Sequence, residues 1–148
     1  KLWQDAGCRK VFFGLESGSN DILKLMNKKT TTEMAEKTIQ RFAQTDIRTA
    51  GFFMVGYPGE TLETIERTIQ WALSLPLDEI SFTVPYPLPG TRLYERVMGV
   101  DENADWQYES ENRLVFSSDF DETYLKDRIA TAYKQFEAQQ GTRKSITV

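Results

Sequence analysis

The 148 residues carry 18 Lys plus Arg against 22 Asp plus Glu, a formal net charge of -4, with 40% apolar and 12% aromatic residues. That suits one globular domain with the apolar mass for a core, and it shows no basic surplus of the kind that nucleic acid demands. A single cysteine, Cys8, and no histidine exclude an internal disulfide framework, a multi-cysteine metal site built from this chain alone, and any Cys/His or Ser/His catalytic device. No apolar run reaches bilayer length and no export signal opens the chain, so no membrane span is expected and the cytoplasm is the expected compartment.

The chain opens at Lys1-Leu2-Trp3 without a methionine and reads as a piece of a longer protein. A first strand is expected from Lys10 to Leu15, because Val11, Phe12 and Phe13 form the continuous apolar run of a strand buried on both faces. Gly14-Leu15-Glu16-Ser17-Gly18-Ser19 breaks it, and Ser19 or Asn20 can cap a short helix that ends at Asn27-Lys28-Lys29. Thr30 and Glu33 have capping-box spacing, and Ala35, Ile39 and Phe42 then follow at helical intervals to about Gln44. Ile47 to Gly56 is the second strand. The third helix carries Leu62, Ile65, Ile69, Ala72 and Leu73 on one stripe and stops by Pro76. Ile80 to Val84 alternates as a third strand, and Leu93, Tyr94, Val97 and Met98 suggest a short fourth helix. After an acidic stretch at Asp101 to Asp105, a short strand is expected at Arg113 to Phe116. A last helix then carries Leu125, Ile129, Ala132 and Phe136.

Strand and helix thus alternate, with crossovers long enough for right-handed βαβ units, which predicts α/β architecture with a parallel sheet. Each strand ends in an unusual loop: Gly14-Leu15-Glu16-Ser17-Gly18, Met54-Val55-Gly56-Tyr57-Pro58-Gly59, and Pro85-Tyr86-Pro87-Leu88-Pro89-Gly90-Thr91. Parallel α/β folds bind ligands at the C-terminal ends of their strands, so glycines at all three positions mark a candidate binding face; tight βα turns are the plain alternative. Glu16 is the sharpest single residue, since a carboxylate at the sheet mouth needs a hydrogen-bonding partner and can grip hydroxyls. It can equally serve as an acid at the start of the following helix. Lys28, at that helix's end, can be a solvated lysine that complements the helix dipole.

The stretch Gly14 to Lys28, followed by Gly51-Phe52-Phe53-Met54-Val55-Gly56-Tyr57-Pro58-Gly59-Glu60-Thr61 and then Pro87-Leu88-Pro89-Gly90-Thr91, resembles the radical S-adenosylmethionine (radical SAM) superfamily. The order matches the last three βα units of its (β/α)6 partial TIM-like barrel, over roughly residues 7 to 98. The Phe-Met-Val-Gly-Tyr-Pro-Gly-Glu-Thr form looks most like the cobalamin-binding group of Fe-S oxidoreductases that includes the anaerobic magnesium-protoporphyrin IX monomethyl ester cyclases.

The resemblance implies a C-terminal half-barrel at residues 1–98 and a C-terminal extension with a terminal helix at 99–148. It implies that Glu16, with Ser17 beside it, lines the barrel near the ribose and methionine moiety of S-adenosylmethionine, and that Lys28 reaches the cofactor's carboxylate or a neighbouring acid. Met54 through Gly56 would run along the adenine, whereas Phe52 stands where many relatives hold the ribose with a polar side chain. The family's 4Fe-4S cluster sits on a Cys-x3-Cys-x2-Cys loop, and the lone Cys8 cannot supply it. No metal ligand or catalytic residue is therefore assigned to this chain. The implied intact enzyme cleaves S-adenosylmethionine reductively to a 5′-deoxyadenosyl radical that abstracts hydrogen from a substrate, with cobalamin as the further cofactor that likeness to the cobalamin-binding group implies, while the fragment alone is expected to be inactive. Its expected partners are the missing N-terminal half, a small-molecule substrate, and further copies of itself through an unpaired sheet edge at Lys10 to Leu15, unless the C-terminal segment covers that edge. The rival reading is a non-catalytic α/β interaction module that meets a partner through Asp101 to Asp105.

Overall fold

The computed structural model describes residues 2–97 and 120–146, the side chains of 142–146 excepted. Three strands, β1 (Lys10–Glu16), β2 (Arg48–Met54) and β3 (Glu79–Thr83), form one parallel sheet in the order β1-β2-β3. Around them lie α1 (Leu2–Asp5), α2 (Asn20–Leu25), α3 (Thr32–Phe42), α4 (Leu62–Ser74), α5 (Arg92–Arg96) and α6 (Glu122–Ile146). The expected α/β alternation with parallel strands is what the chain adopts, in keeping with part of a TIM-like fold. The expected strand at 113–116, the acidic segment 101–105 and the boundary at residue 98 lie outside the described residues.

Helix starts follow local chemistry, with one displacement. The expected box between Thr30 and Glu33 does not form, because α3 begins one residue later: Thr31 is its N-cap and its hydroxyl accepts from the Met34 N–H at 3.3 Å. Glu33 instead accepts from the Asn20 side chain at 3.2 Å. The reciprocal box falls on α4, where the Thr61 hydroxyl accepts from the Thr64 N–H at 3.3 Å and the Thr64 hydroxyl accepts from the Thr61 N–H at 2.9 Å. Threonine there does the work more often given to Glu or Gln. The helix stops at Leu75, whose extended backbone is what a following proline imposes.

One face of the sheet is dry. Phe53 and Phe82 meet at its centre with ring centroids 5.4 Å apart, and Trp71 of α4 and Tyr133 of α6 close edge-on over them at 5.9 and 5.8 Å. Ile39 of α3, Ile65 and Ile69 of α4, and Leu125 of α6 complete this layer with no exposed surface. Each side chain of this size contributes about 1.5–3 kcal/mol by leaving water. The polar atoms of the layer are satisfied: Trp71 Nε1 donates to Glu36 at 2.7 Å, and the Tyr133 hydroxyl accepts from the Phe82 N–H at 2.9 Å. That last bond lets α6 cover part of the outer edge of β3, whereas β1 is the opposite edge strand. Arg128 ties α6 to α4 by a two-pronged contact with Glu66 at 2.6–3.0 Å. Burial works against the Glu66 charge, but hydrogen bonds from Gln70 and Arg128 outweigh it and hold the carboxyl below its ordinary range.

The other face follows from strand alternation and register: Lys10, Phe12 and Gly14 in β1, Arg48, Ala50, Phe52 and Met54 in β2, and Glu79, Ser81 and Thr83 in β3. Phe12 and Phe52 stack there at 5.8 Å while remaining 58% and 41% exposed. At the lower end of this face Glu79 accepts from Lys10 at 2.5 Å and from Arg48 at 2.6 Å, so one carboxylate joins all three strands. The Lys10 hydrogen bond chiefly holds the Glu79 carboxyl below its usual range.

The two faces should respond differently to truncation. Phe53→Ala is expected to cost about 3–5 kcal/mol through the cavity it opens, whereas Phe12→Ala should cost under about 1 kcal/mol because its ring is already in water. Urea unfolding followed by tryptophan fluorescence measures both.

Candidate cofactor-binding site

At the end of β1 three backbone features converge on one ion pair. The strand register slips between Gly14 and Glu16, and Glu16 takes the left-handed conformation at φ 64°. Asn27, after α2, is the only other described non-glycine residue with positive φ, at 57°. These two turns bring Lys28 Nζ to Glu16 Oε1 at 2.7 Å. A Cβ on Gly14 would lie 2.9 Å from that same carboxylate oxygen, so the absence of a side chain there is what lets Glu16 fold back over the strand. A left-handed non-glycine residue costs about 1–2 kcal/mol, and strain of this sort gathers where function holds it in place. The pair is partly exposed, 41% at Lys28 and 18% at Glu16, and pairs open to water stabilise a fold by about 1 kcal/mol at most.

Ser17 lies in a different environment. It is fully buried, its hydroxyl is 3.2 Å from the Thr68 hydroxyl of α4, and it accepts from the Ser19 N–H at 3.1 Å. Gly18 comes so close to α4 that a Cβ would sit 2.9 Å from Thr68 Cα. The Ser17 hydroxyl thus joins the β1–α2 loop to the helix layer, while Glu16 and Lys28 meet at the sheet mouth.

Met54 ends β2 beside Thr83 of β3, and the Val55 N–H extends the ladder to the Thr83 carbonyl at 2.9 Å. Gly56 then turns with φ 84° and Gly59 with φ 97°, conformations open to glycine. The amides of this turn are claimed from within: Glu60 Oε2 accepts from the Gly56 N–H at 2.7 Å and from the Tyr57 N–H at 2.9 Å. Glu60 is 6% exposed. Burial pushes its carboxyl up to about 7, against the opposing pull of the two amides. Sequence reasoning passed over this residue, although an acid between Gly-Tyr-Pro-Gly and a threonine-capped helix was the available signal.

The mouth therefore presents a carboxylate and an ammonium group above a face bearing Phe52, with Met54 partly buried at the neighbouring strand end and Val55 and Gly56 buried behind it. These groups suit a ligand with hydroxyls, a carboxylate and a flat base, which is the chemistry of S-adenosylmethionine. An iron-sulfur cluster does not fit the residues present: Cys8 is the single cysteine, and among the described residues no three His, Cys, Asp or Glu side chains gather to hold a metal ion. No helix among the described residues is long and apolar enough to cross a membrane.

The fold defines a parallel α/β protein whose three strand ends open at one end of the sheet. Comparison narrows the class: the radical SAM superfamily model matches residues 1–72. The chain is 37% identical over 95 residues to an uncharacterized methyltransferase of Pyrococcus horikoshii, covering 64% of this chain and 21% of that one. It is 33% identical over 98 residues to a putative methylthiotransferase of Methanocaldococcus jannaschii, covering 66% and 22%. Against the anaerobic magnesium-protoporphyrin IX monomethyl ester cyclase of Rubrivivax gelatinosus it is 29% identical over 136 residues, covering 91% and 24%. The chain belongs to the radical SAM superfamily, whose members use S-adenosylmethionine and a 4Fe-4S cluster, and it spans between a fifth and a quarter of the length of these curated relatives.

If Glu16 is held for the site and not for the fold, Glu16→Asn should leave the urea midpoint unchanged or raised, because asparagine tolerates the left-handed region. A loss above about 1 kcal/mol would show instead that the ion pair stabilises the chain.

Proposed function

We propose that this chain is the C-terminal half of a radical SAM catalytic domain and supplies one side of its S-adenosylmethionine pocket. The observation that carries the reading is the juxtaposition of Glu16 and Lys28 over Gly14 at the C-terminal end of β1. Glu16 would accept from ribose hydroxyls, Lys28 would hold the cofactor's carboxylate as a point charge, and Met54 to Gly56 would flank the base. Ser17 supports this arrangement by anchoring the β1–α2 loop to α4. When bound together, S-adenosylmethionine and a reduced cluster supply a carbon radical that abstracts hydrogen; the cluster's ligands must come from residues other than these. The contribution of this half is to position the cofactor and keep its surroundings dry.

The bare face with Phe12 and Phe52 supports a barrel interior completed by other strands of the intact protein. We assign the free side of β1 as the edge where such a strand pairs, and where isolated copies associate in its absence. Within the superfamily, the cyclase group is favoured by extent: its alignments cover 91% and 92% of this chain, while the methyltransferase and methylthio-group matches cover 55–68%. The substrate is a small molecule, and a soluble, cytoplasmic enzyme is the matching setting.

The coding sequence upstream of Lys1 provides the direct test. It should encode a Cys-x3-Cys-x2-Cys loop, and the lack of one would sink the enzyme reading. The 148-residue chain alone, incubated anaerobically with S-adenosylmethionine and dithionite, is expected to yield no 5′-deoxyadenosine by liquid chromatography, whereas the longer chain reconstituted with iron and sulfide should yield it.

A further inference from the structure

We propose that the open face of the sheet binds a flat molecule with a carboxylate at one end, its ring body against the Phe12–Phe52 stack and its acid held by Lys10 and Arg48. This is a substrate class for the cofactor site put forward above. Calling the molecule a substrate rests on that reading, whereas its binding is a property of this chain alone.

The face is not built as a packing surface. Branched aliphatic side chains are what fill the interior of a closed parallel barrel. Among the positions of β1, β2 and β3 that share this face, none holds Val, Ile or Leu. Those residues are on the other side, where Leu15, Val55 and Val84 lie in the core and Ile80 packs against it. The open face carries instead two phenylalanines that keep 58% and 41% of their surface in water although they touch each other. Their planes are only 13° apart, so a further flat ring can extend the stack with the same geometry. Apolar walls with a few fixed polar groups are the usual make-up of a small-molecule site.

Charge at the base of the face selects the ligand's other end. Glu79 is shared between Lys10 and Arg48, so two cations meet one anion and a positive charge is left over. The Arg48 side chain is 61% exposed and reaches Glu79 through Nη2, which leaves guanidinium N–H groups for a second carboxylate. The nearest other acids are turned elsewhere: Asp78 accepts from the Thr49 N–H at 2.7 Å and Asp46 from the Gln4 side chain at 3.3 Å. Lys10 Nζ stands 4.7 Å from the Phe12 ring centroid, so the charged base and the aromatic wall are continuous. At the top, Phe52 is level with Gly14, over which the Glu16 carboxylate folds back, and the wall therefore adjoins the mouth. From Lys10 to Gly14 the strand rises about 13 Å, which sets the length of the ligand at a few fused rings with a short acid arm.

A series of pyrene probes tests the face. The 148-residue chain is titrated with 1-pyrenebutyrate, 1-pyrenebutanol and 1-pyrenebutylamine, read by fluorescence anisotropy and by amide shifts of the 15N-labelled protein. The acid should bind about tenfold more tightly than the alcohol, the amine more weakly than either, with the largest shifts in residues 10–14 and 48–54. Phe52→Ala should weaken all three probes alike, and Arg48→Gln should remove the preference for the acid. Glu79→Gln frees both cations and should tighten the acid alone, whereas a merely structural Glu79 would move the three probes together. Equal affinity for acid and alcohol, shifts that fall elsewhere, or binding indifferent to Phe52→Ala would each overturn the proposal and leave the face as a packing surface for other strands. A face closed by a second copy, so that no probe enters it even at micromolar dilution, overturns it as well. Millimolar S-adenosylmethionine added to the same chain separates the two readings: Glu16 and Lys28 resonances that ignore it overturn the cofactor site, and the probe series still decides the face.

Discussion

Two right-handed crossovers linking three parallel strands in sequential order must lie on the same side of the sheet, and most else in this structure descends from that constraint. The helices α3 and α4 fall on one face, α6 joins them, and the Phe53 and Phe82 rings become the dry centre to which all three elements pack. No crossover is available for the opposite face. Its residues must either stay in water or pair across the strands, and they do both: Phe12 and Phe52 stack while exposed, and Glu79 gathers Lys10 and Arg48 into one charged knot. The parallel pairing of the strands puts all three strand ends and their loops at one end.

At that end the chain departs from easy backbone geometry in a concentrated way. Both described non-glycine residues of positive φ, Glu16 and Asn27, serve to bring Glu16 and Lys28 together, and Gly14 makes room for the carboxylate. One strand over, a second carboxylate, Glu60, turns inward and accepts from the Gly56 and Tyr57 amides. The two acids have opposite tasks: Glu16 stays partly in water with a cation at hand, and Glu60 is buried with only dipoles for company.

Most of the fold was legible because periodicity and punctuation are local. The apolar runs at Val11 to Phe13 and Phe52 to Val55, the stripe through Ile65 and Ile69, and Pro76 as a stop each place an element without reference to any other. The cap of α3 was misplaced by one residue because three successive threonines offer equivalent hydroxyls, and only the docking of Asn20 onto the Thr32 N–H, at 2.9 Å, selects among the possible starts. Glu16 and Lys28 were each recognisable as site residues, but that they meet depends on Asn27 turning left-handed, a choice invisible in residue spacing. The buried state of Ser17 was equally hidden, since it follows from Gly18 touching the α4 backbone fifty residues away in sequence.

By itself, the sequence determined the α/β class, the parallel sense of the strands and the radical SAM kinship. Those follow from composition, period and motif order, which are carried by the chain independently of how it packs. Tertiary structure alone decided that Glu16 stays partly exposed while Glu60 is buried, how α6 reaches the edge of β3, and that Phe12 and Phe52 remain exposed on one sheet face. Burial and hydrogen-bond pairing are relations between residues distant in sequence, and they acquire values only when the helices have come down on the sheet.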